Sequence, residues 1–351
     1  MSVMYMCNLC KTDNADKKGS HIVPHFLLKR IENINGKTGR DYEIGYEIRK
    51  LRSKSYFGKS VLPERLEETY GEITDDDIDK NSHPLVVDNF LCSECEKRLA
   101  QIESKYSLTI NTIQKTNYES GISNLEGITF WASIFWRMSV HGESGVKLSE
   151  EQNESLRVIL DSFLPAENRE LNEESVTNNE LVKEVSYKII RCHNAENDDA
   201  KWLLYHPEFH ETFCLFIDEF VVALSLNGKF EEFETTDCFG INELILKAPT
   251  NNSTGNEIIQ PFDRSIYIEY ANRIIEKAKD VFVDGLEELL NKIYTQTGGI
   301  ENKMPTHLKQ EIMEEITSEE KKIGRKYSQK EIAKSIYKVM KKYDHLLRKQ
   351  P

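Results

Sequence analysis

Two pairs of cysteines with the spacing of metal ligands stand in the first hundred residues. Cys7 and Cys10 form one Cys-x-x-Cys pair, and Cys92 and Cys95 form the other. Two intervening residues allow a tight turn, or the first turn of a helix, to aim both sulfurs at one ion, and four thiolates suit a tetrahedral structural Zn²⁺. Because 82 positions separate Cys10 from Cys92, the two halves of this predicted zinc site must meet through folding.

The other three cysteines stand singly in apolar or mixed segments. The chain holds seven cysteines, an odd number, and its start, MSVMYMCNLCKTDNADKK, lacks the pattern of a signal peptide. Disulfides are therefore not expected, and free cysteines are commonly small core residues. We expect Cys192, Cys214 and Cys238 to be buried thiols in a cytoplasmic protein.

A histidine and an asparagine lie close to the cysteine pairs. His21 stands in SHIVPHF, and Asn89 stands in VVDNFLCSEC just before the second pair. The sequence predicts a short strand ending near each of them, and CSECEKRLAQIESKY predicts a helix that begins at the second pair. A knuckle, two strands and a helix around one zinc ion form a treble clef, a ββα arrangement that would bring His21, Asn89 and the first helical turn to one side.

These motifs together resemble the zinc-bound form of the HNH, or His-Me finger, endonuclease family. The matching stretches are CNLC, HIVP and DNFLCSEC, within roughly residues 5 to 105, and a broad group of poorly characterised bacterial proteins has a similar pattern. The resemblance implies that His21 is the general base that activates water for attack on a phosphodiester. It implies that Asn89 steadies the loop and the histidine, and that a Mg²⁺ or Mn²⁺ ion stabilises the leaving oxygen.

Two positions differ from the family pattern. Ser20 precedes the histidine, where the family usually has Asp, Glu or His as a metal ligand, and Glu96 follows the last cysteine, where the family often has His or Asn. A hydroxyl is a poor ligand for magnesium, whereas Mg²⁺ and Mn²⁺ prefer carboxylate oxygens. We therefore expect Glu96 to hold the catalytic cation, helped by Glu103 or His25.

A basic stretch, EIRKLRSKSYFGKS, lies in the insertion at residues 27–84. Its positive residues alternate with aromatic ones, which suits contacts with nucleic-acid phosphates and bases and equally suits an ordinary solvated strand. The candidate contact residues are Lys50, Arg52, Lys54 and Lys59. The N-terminal end is basic, since residues 1–60 hold 12 Lys and Arg against 6 Asp and Glu, although the whole chain has a net charge of −13.

The pattern changes from residue 126 onward. EGITFWASIFWRMSV predicts a largely buried helix, and Ser149 with Gln152 predicts a capping box for the next helix. The apolar face of that second helix is predicted to consist of Leu156, Ile159, Leu160 and Phe163. VSYKIIRCHN, KWLLYH, TFCLFIDEFVVALSL and ELILKAP predict strands, with a two-residue hairpin at Asn227-Gly228. Long helices are predicted to follow, with Gly285 as a weak point in the first of them.

The sequence therefore predicts an α+β protein with three parts. These are an N-terminal treble-clef ββα zinc module with a long basic insertion (1–110), an α+β body that folds independently (120–300) and a basic helical C-terminal segment (301–351). No run of about 18 apolar residues occurs, so no membrane span is expected. His206 and His210 are interpreted as structural, because Pro207 disfavours a regular helix face between them.

Two functions are consistent with these patterns. The first is a metal-dependent HNH-type endonuclease that cleaves DNA, with antiviral defence as one setting in which such modules are used. The second is a catalytically inactive, zinc-stapled module that binds nucleic acid or a protein. DNA is the expected partner, and a protein partner or a homodimer is left open.

Overall fold

The computed structural model describes residues 5–32, 44–49, 52–57, 61, 83–142, 145–165, 180–196, 199, 201–299, 303–323 and 329–343. The chain divides into two compact units. The first takes in most of the chain up to Ile274, and the second takes in the chain from Ile275 onward and part of the insertion. The predicted α+β class is confirmed by the helices and strands that follow.

Short elements in and around the two cysteine-pair segments build the N-terminal part of the chain, of which Glu47–Lys54 belongs to the second unit. In chain order they are β1 (Ser20–His21), α1 (His25–Glu32), β2 (Ile44–Arg49), β3 (Arg52–Phe57), β4 (Val86–Val87) and α2 (Ser93–Ser107). Strands β1 and β4 pair antiparallel, and β2 pairs with β3. The second cysteine pair lies at the start of α2, with Cys92 as its N-cap residue.

The rest of the described chain contains one large sheet and its helices. Its elements are β5 (Tyr118–Ser123), α3 (Asn124–His141), α4 (Glu150–Phe163), α5 (Glu180–Glu184), β6 (Ser186–Cys192), β7 (Leu203–Tyr205), β8 (Thr212–Ile217), β9 (Phe220–Ser225), α6 (Glu232–Thr235), α7 (Asn242–Lys247), β10 (Asn256–Phe262), α8 (Arg264–Gln296), α9 (Thr306–Ile323) and α10 (Gln329–Lys342). The sheet order is β5-β10-β6-β9-β8-β7, and every neighbouring pair is antiparallel except β10–β6. Strands β6, β8 and β9 are buried along their whole length.

Two predictions about this sheet are wrong. The hairpin between β8 and β9 turns at Asp218-Glu219, where Asp218 adopts a left-handed φ of 54°. Aspartate tolerates that conformation, so the turn needs no glycine. Asn227-Gly228 instead follows the end of β9, and ELILKAP forms helix α7 rather than a strand.

The predictions for helices α3 and α4 are confirmed. Helix α3 is buried over almost its whole length, including Trp131 and Trp136. Helix α4 begins with the predicted capping box, in which the Ser149 and Gln152 side chains bind each other's backbone N–H groups. Its buried face consists of the four predicted residues, Leu156, Ile159, Leu160 and Phe163. Both helices therefore have the amphipathic or apolar patterns that their burial requires.

One hydrophobic core runs from the N-terminal part into the body. The Phe26 ring lies 6.0 Å from the Phe130 ring, and the Phe90 ring lies 6.0 Å from the Trp136 ring. A domain that folds alone has its own core. This packing does not separate residues 1–110 from 120–300, and it favours folding of both segments together.

The C-terminal helices form a second core. Helix α8 is a single 33-residue helix that Gly285 does not interrupt, and the division between the two units falls inside it. The predicted boundary at residue 300 does not coincide with this division. Leu290 of α8, Leu308 and Ile312 of α9, and Val339 of α10 are buried together. No helix among the described residues has the length and hydrophobicity needed to cross a bilayer.

Candidate metal centre and histidine site

The first cysteine pair lies on a tight turn that the second pair's segment holds in place. The Cys7 N–H donates to the Asp13 carbonyl at 2.8 Å, and the Lys11 N–H donates to the Cys7 carbonyl at 3.1 Å. The Asn8 side chain and its backbone N–H both donate to the Phe90 carbonyl, at 3.0 and 3.2 Å. The turn is therefore hydrogen-bonded to Phe90, in the segment just before helix α2.

The four predicted cysteines come together in one cluster. The sulfurs of Cys7, Cys10, Cys92 and Cys95 all lie within 4.8 Å of one another, and this group could hold a metal ion. The Cys10 and Cys92 sulfurs are 4.0 Å apart. Zn–S bonds of about 2.3 Å in a tetrahedron place neighbouring sulfurs about 3.8 Å apart. The cluster therefore has the dimensions of a four-thiolate site, as the spacing in the sequence predicts.

Three of the thiols, those of Cys7, Cys92 and Cys95, have pKa values that differ from the ordinary value of a thiol. The Cys95 thiol donates to the Cys7 sulfur, which lowers the pKa of Cys7 to about 4 and raises the pKa of Cys95 above its ordinary value. Burial raises the pKa of Cys92 to about 11. Metal ligation needs thiolates, so binding of a cation here would release protons and weaken with falling pH.

His21 lies on β1, opposite Val86 of β4. Its ring is half-buried, and the ring centroid lies 5.1 Å from that of His25. The pKa of His21 is lowered to about 4, mainly by burial and in addition by electrostatic interactions with His25, His83 and Arg137. The imidazole is therefore neutral at pH 7. Neither ring nitrogen of His21 hydrogen-bonds to another described residue.

Glu96 faces β1 from the first turn of helix α2. The buried Ser20 hydroxyl donates to Glu96 Oε2 at 3.0 Å. Burial raises the pKa of Glu96, and the Ser20 hydrogen bond and the charge of Arg137 oppose that shift. A carboxylate that burial penalises gains from a nearby cation. Glu96 therefore lies where the sequence predicts, next to the strand that carries His21.

Glu103, the predicted helper of Glu96, already has a charged partner. Arg137 Nη2 of helix α3 lies 2.8 Å from Glu103 Oε1, and Arg137 Nη1 donates to the His21 carbonyl at 2.9 Å. The sequence offers a signal for Arg137, because it is a cation inside an otherwise apolar helix. Its partners, however, lie far away along the chain and could not be assigned from the sequence.

Asn89 does not hold the histidine. Its side chain is exposed and hydrogen-bonds to no other described residue, and its backbone has a left-handed φ of 57°. Its N–H donates to the Lys17 carbonyl at 2.8 Å, and the adjacent Asp88 carboxylate accepts from the Gly19 N–H at 2.8 Å. The Asp88-Asn89 pair thus shapes the loop before the second cysteine pair, while the link to His21 implied by the resemblance is not formed.

His83 is a neighbour of His21 that the sequence did not single out. Its Nδ1 accepts from the Leu85 N–H at 3.1 Å, so the proton of the neutral ring lies on Nε2, which is 2.8 Å from Glu32 Oε1. Both nitrogens are therefore engaged. His83 consequently supports the site from the side and is not a candidate proton acceptor.

The predicted basic contact residues are only partly covered by the structure. Lys50 and Lys59 lie outside the described residues, and Arg52 and Lys54 lie on strand β3, where only their backbone is described. The predicted alternation of positive and aromatic residues thus falls on a strand at Arg52 and Lys54. Their contact with nucleic acid remains a prediction.

The residues predicted to be structural lie in the body. Cys192, Cys214 and Cys238 are fully buried, as predicted, and the sulfurs of the last two are 3.5 Å apart. His206 is buried, with its ring against Phe209 and Phe239. His210 is exposed. Among the described residues, no second cluster of three or more His, Cys, Asp or Glu groups has the dimensions of a metal site.

Two kinds of chemistry are thus available in one small region. The four sulfurs form a closed cage suited to a structural metal ion. Beside the cage, a neutral imidazole and a carboxylate on the adjacent helix are suited to acid–base chemistry. No protein-family model, no curated protein and no solved structure matches the chain.

Proposed function

We propose that this chain is an HNH-type endonuclease that cleaves phosphodiester bonds of DNA, with His21 as its general base. The observation that supports this most directly is the Ser20–Glu96 hydrogen bond of 3.0 Å, which joins the His21 strand to the first turn of α2. In this proposal the cysteine turn, the β1–β4 pair and α2 would together form the treble clef of the family that the sequence motifs resemble.

In this proposal the cysteine cluster binds Zn²⁺ in a structural role. Four thiolates complete a tetrahedral set, so no position is left for water or substrate. Cys7, Cys92 and Cys95 are buried, which also keeps reactants away from the ion. The ion would fix the cysteine turn against the start of α2, and through it the position of Glu96.

His21 is suited to accept a proton from an attacking water molecule. Its pKa of about 4 keeps the ring neutral at pH 7, and a base must be unprotonated to act. The residue is half-buried, so part of it is accessible. Proton transfer to His21 would accompany attack of the water on phosphorus and departure of the leaving oxygen.

Glu96 is the residue that would hold a catalytic divalent cation. Mg²⁺ is commonly bound by one or two carboxylates together with phosphate oxygens of the substrate, so a single protein carboxylate fits. Such a cation, when bound, would stabilise charge on the phosphate and on the leaving oxygen. Glu103 is not available as a second ligand while it is paired with Arg137.

A non-catalytic binding module is the second candidate function. It is favoured by the exposed Asn89 side chain, which does not orient His21, and by the engagement of Glu103 with Arg137. In this case the cysteine cluster would only stabilise the N-terminal part. The basic stretch that includes strands β2 and β3 would provide the contact with DNA or with a protein.

A plasmid-nicking assay with the zinc-loaded full chain distinguishes the two. The wild type should nick DNA with Mg²⁺ or Mn²⁺, and His21→Ala should remove nicking at every cation concentration, since no cation replaces the base. Glu96→Gln should lower the rate through weaker cation binding, with partial recovery at high Mn²⁺. His210→Ala is the control, at an exposed histidine outside the candidate site, and its rate should stay close to that of the wild type. Plasmid binding without nicking by the wild type would contradict the endonuclease and support the binding module.

A further inference from the structure

Arg137 is a buried cation that joins two other elements, one through a hydrogen bond and one through an ion pair. It is 2% exposed. Within helix α3, its Nε donates to the Ser133 carbonyl at 3.1 Å and its Nη2 donates to the Ser133 hydroxyl at 3.2 Å. Outside the helix, Nη1 donates to the His21 carbonyl on β1 at 2.9 Å, and Nη2 lies 2.8 Å from Glu103 Oε1 on α2.

We propose that Arg137 is a positioning residue for His21, supplied to the N-terminal part by helix α3 of the body. This inference rests on the proposed role of His21 as the base. The guanidinium holds the peptide plane of His21 and binds the neighbouring Glu103 carboxylate at the same time. The His21 site is therefore completed only when the body is folded against it.

The burial of Arg137 determines which role it can have. A guanidinium that is 2% exposed does not reach a substrate phosphate, so direct contact with the scissile group is excluded. A buried charge is tolerated when it is paired and hydrogen-bonded, and it then fixes the groups around it. Because the His21 carbonyl is one of these groups, the direction of the His21 side chain depends on Arg137.

The same arrangement also determines the charge around the imidazole. Arg137 neutralises Glu103, which would otherwise place an unpaired carboxylate on the side of α2 that bears Glu96. The positive guanidinium disfavours protonation of His21. The charged and titratable groups around His21, from each packed element, are His25 on α1, His83 before β4, Glu96 and Glu103 on α2, and Arg137 on α3.

The chain contains a matched control for this arginine. Arg157 of helix α4 donates from Nη1 to the Leu9 carbonyl at 2.7 Å and binds Glu154. It therefore also joins a body helix to a backbone carbonyl of the N-terminal part, but at the cysteine turn rather than at His21. Comparing the two arginines separates a general stabilising role from an effect on the histidine.

The experiment compares Arg137→Gln with Arg157→Gln in the zinc-loaded full chain. Zinc content, nicking rate and the NMR titration of the histidine ring signals are measured for each. For Arg137→Gln we expect retained zinc, a titration of His21 that moves upward toward the ordinary value of 6.5, and a nicking rate lower by on the order of tenfold to a hundredfold. For Arg157→Gln we expect the His21 titration and the rate to stay at their wild-type values.

Further variants keep the test decisive if Arg137→Gln fails to fold. Glu103→Gln retains Arg137 and its bond to His21, whereas Arg137→Lys retains the charge but cannot span both partners. Arg137→Lys should lower the rate more than Glu103→Gln does, and equal rates for these two folded variants would overturn the proposal. An unchanged His21 titration and rate in folded Arg137→Gln would also overturn it. If the wild type nicks no DNA, the proposed function fails, and the His21 ring signals alone then decide whether Arg137 positions the histidine.

Discussion

The cysteine cluster and the His21 site are neighbours, yet they are assembled in different ways. Each cysteine pair lies on one short segment, so its two sulfurs converge through local backbone geometry. His21, in contrast, obtains its surroundings from separate elements, and the Arg137 that binds its carbonyl is 116 positions away. The cage is built from two short segments that folding brings together, whereas the histidine site also depends on helix α3 of the body.

This difference leads to different expectations for substitutions. Loss of a cysteine ligand should act through folding, because metal ligation and structure are coupled in small modules. Changes around His21 should act mainly through chemistry, because the ring itself has no hydrogen bond to another described residue. The variants below test this contrast, beginning with the largest expected effect.

Cys92→Ser should lose the bound zinc and unfold the N-terminal part. Structural zinc contributes on the order of 10 kcal/mol in small zinc modules, and the shared core should spread the loss into the body. Metal analysis and thermal unfolding measured by circular dichroism check this prediction. Cys238→Ser is the control, since it removes a buried thiol outside the cluster and should leave the zinc content unchanged. Equal zinc in Cys92→Ser and wild type would contradict the assignment of the ligands.

A truncated chain that begins at residue 115 should be molten or insoluble. Removal of residues 1–114 uncovers the face of α3 on which Phe26 and Phe90 pack. It also removes the partners of Arg137 on β1 and α2. NMR line widths and binding of a hydrophobic dye measure the outcome. A soluble chain with sharp, dispersed signals would instead support the independent body that the sequence predicts.

The pH dependence of nicking should identify His21 as an unusual histidine. Its folded-state pKa of about 4 lies below the ordinary 6.5, so the rate should stay level as pH falls through 6.5 and decline only toward 4. The free energy of unfolding should also fall at low pH. The contribution of His21 is present above pH 6.5 and is lost as pH falls toward 4, because the unfolded chain binds the proton more readily. A midpoint near 6.5 in the rate profile would exclude His21 as the titrating base.

The sequence predicted the parts of the molecule that depend on local spacing. The spacing within each cysteine pair, the Ser149–Gln152 capping box and the buried face of α4 all depend on neighbours a few residues apart, and the matching of the two pairs followed from their shared metal-ligand pattern. The Asp218-Glu219 hairpin was missed because Asn-Gly is the stronger local signal, although strand pairing selected the other turn. ELILKAP was assigned to a strand from its composition, and it forms a helix of only six residues.

The surroundings of His21 could not be predicted for a different reason. Arg137, Glu103 and His83 are brought near His21 by folding, and no motif in the sequence links them to it. The resemblance directed attention to Asn89, which shapes a loop instead. The cysteine cluster also joins distant segments, but its repeated Cys-x-x-Cys motif shows which residues belong together, and the surroundings of His21 have no such motif.

The smallest expected effect is on stability and concerns Glu257, a buried acid that we do not expect to affect the His21 site. It is a fully buried acid on β10, and it accepts hydrogen bonds from the Tyr187 hydroxyl at 2.8 Å and from the Tyr106 hydroxyl at 3.2 Å. Burial raises its pKa above 4.5. Its contribution to stability is therefore fully present below pH 4.5 and is lost as pH rises through its folded-state pKa.

Glu257→Gln should remove that dependence, because an amide oxygen still accepts from both tyrosines and does not ionise. Relative to the wild type, the variant should gain stability as pH rises, by about 1–2 kcal/mol, while zinc content and nicking rate stay unchanged. Chemical unfolding at several pH values measures the free energy of unfolding of both proteins. Glu96 contributes equally to both, so its contribution cancels when the two free energies are subtracted. A constant difference between the two proteins across the pH range would show that Glu257 keeps one protonation state in the folded chain. A lower nicking rate in folded Glu257→Gln would instead show that the buried acid affects the activity of His21. The residues on which the His21 site depends would then include the core of the body.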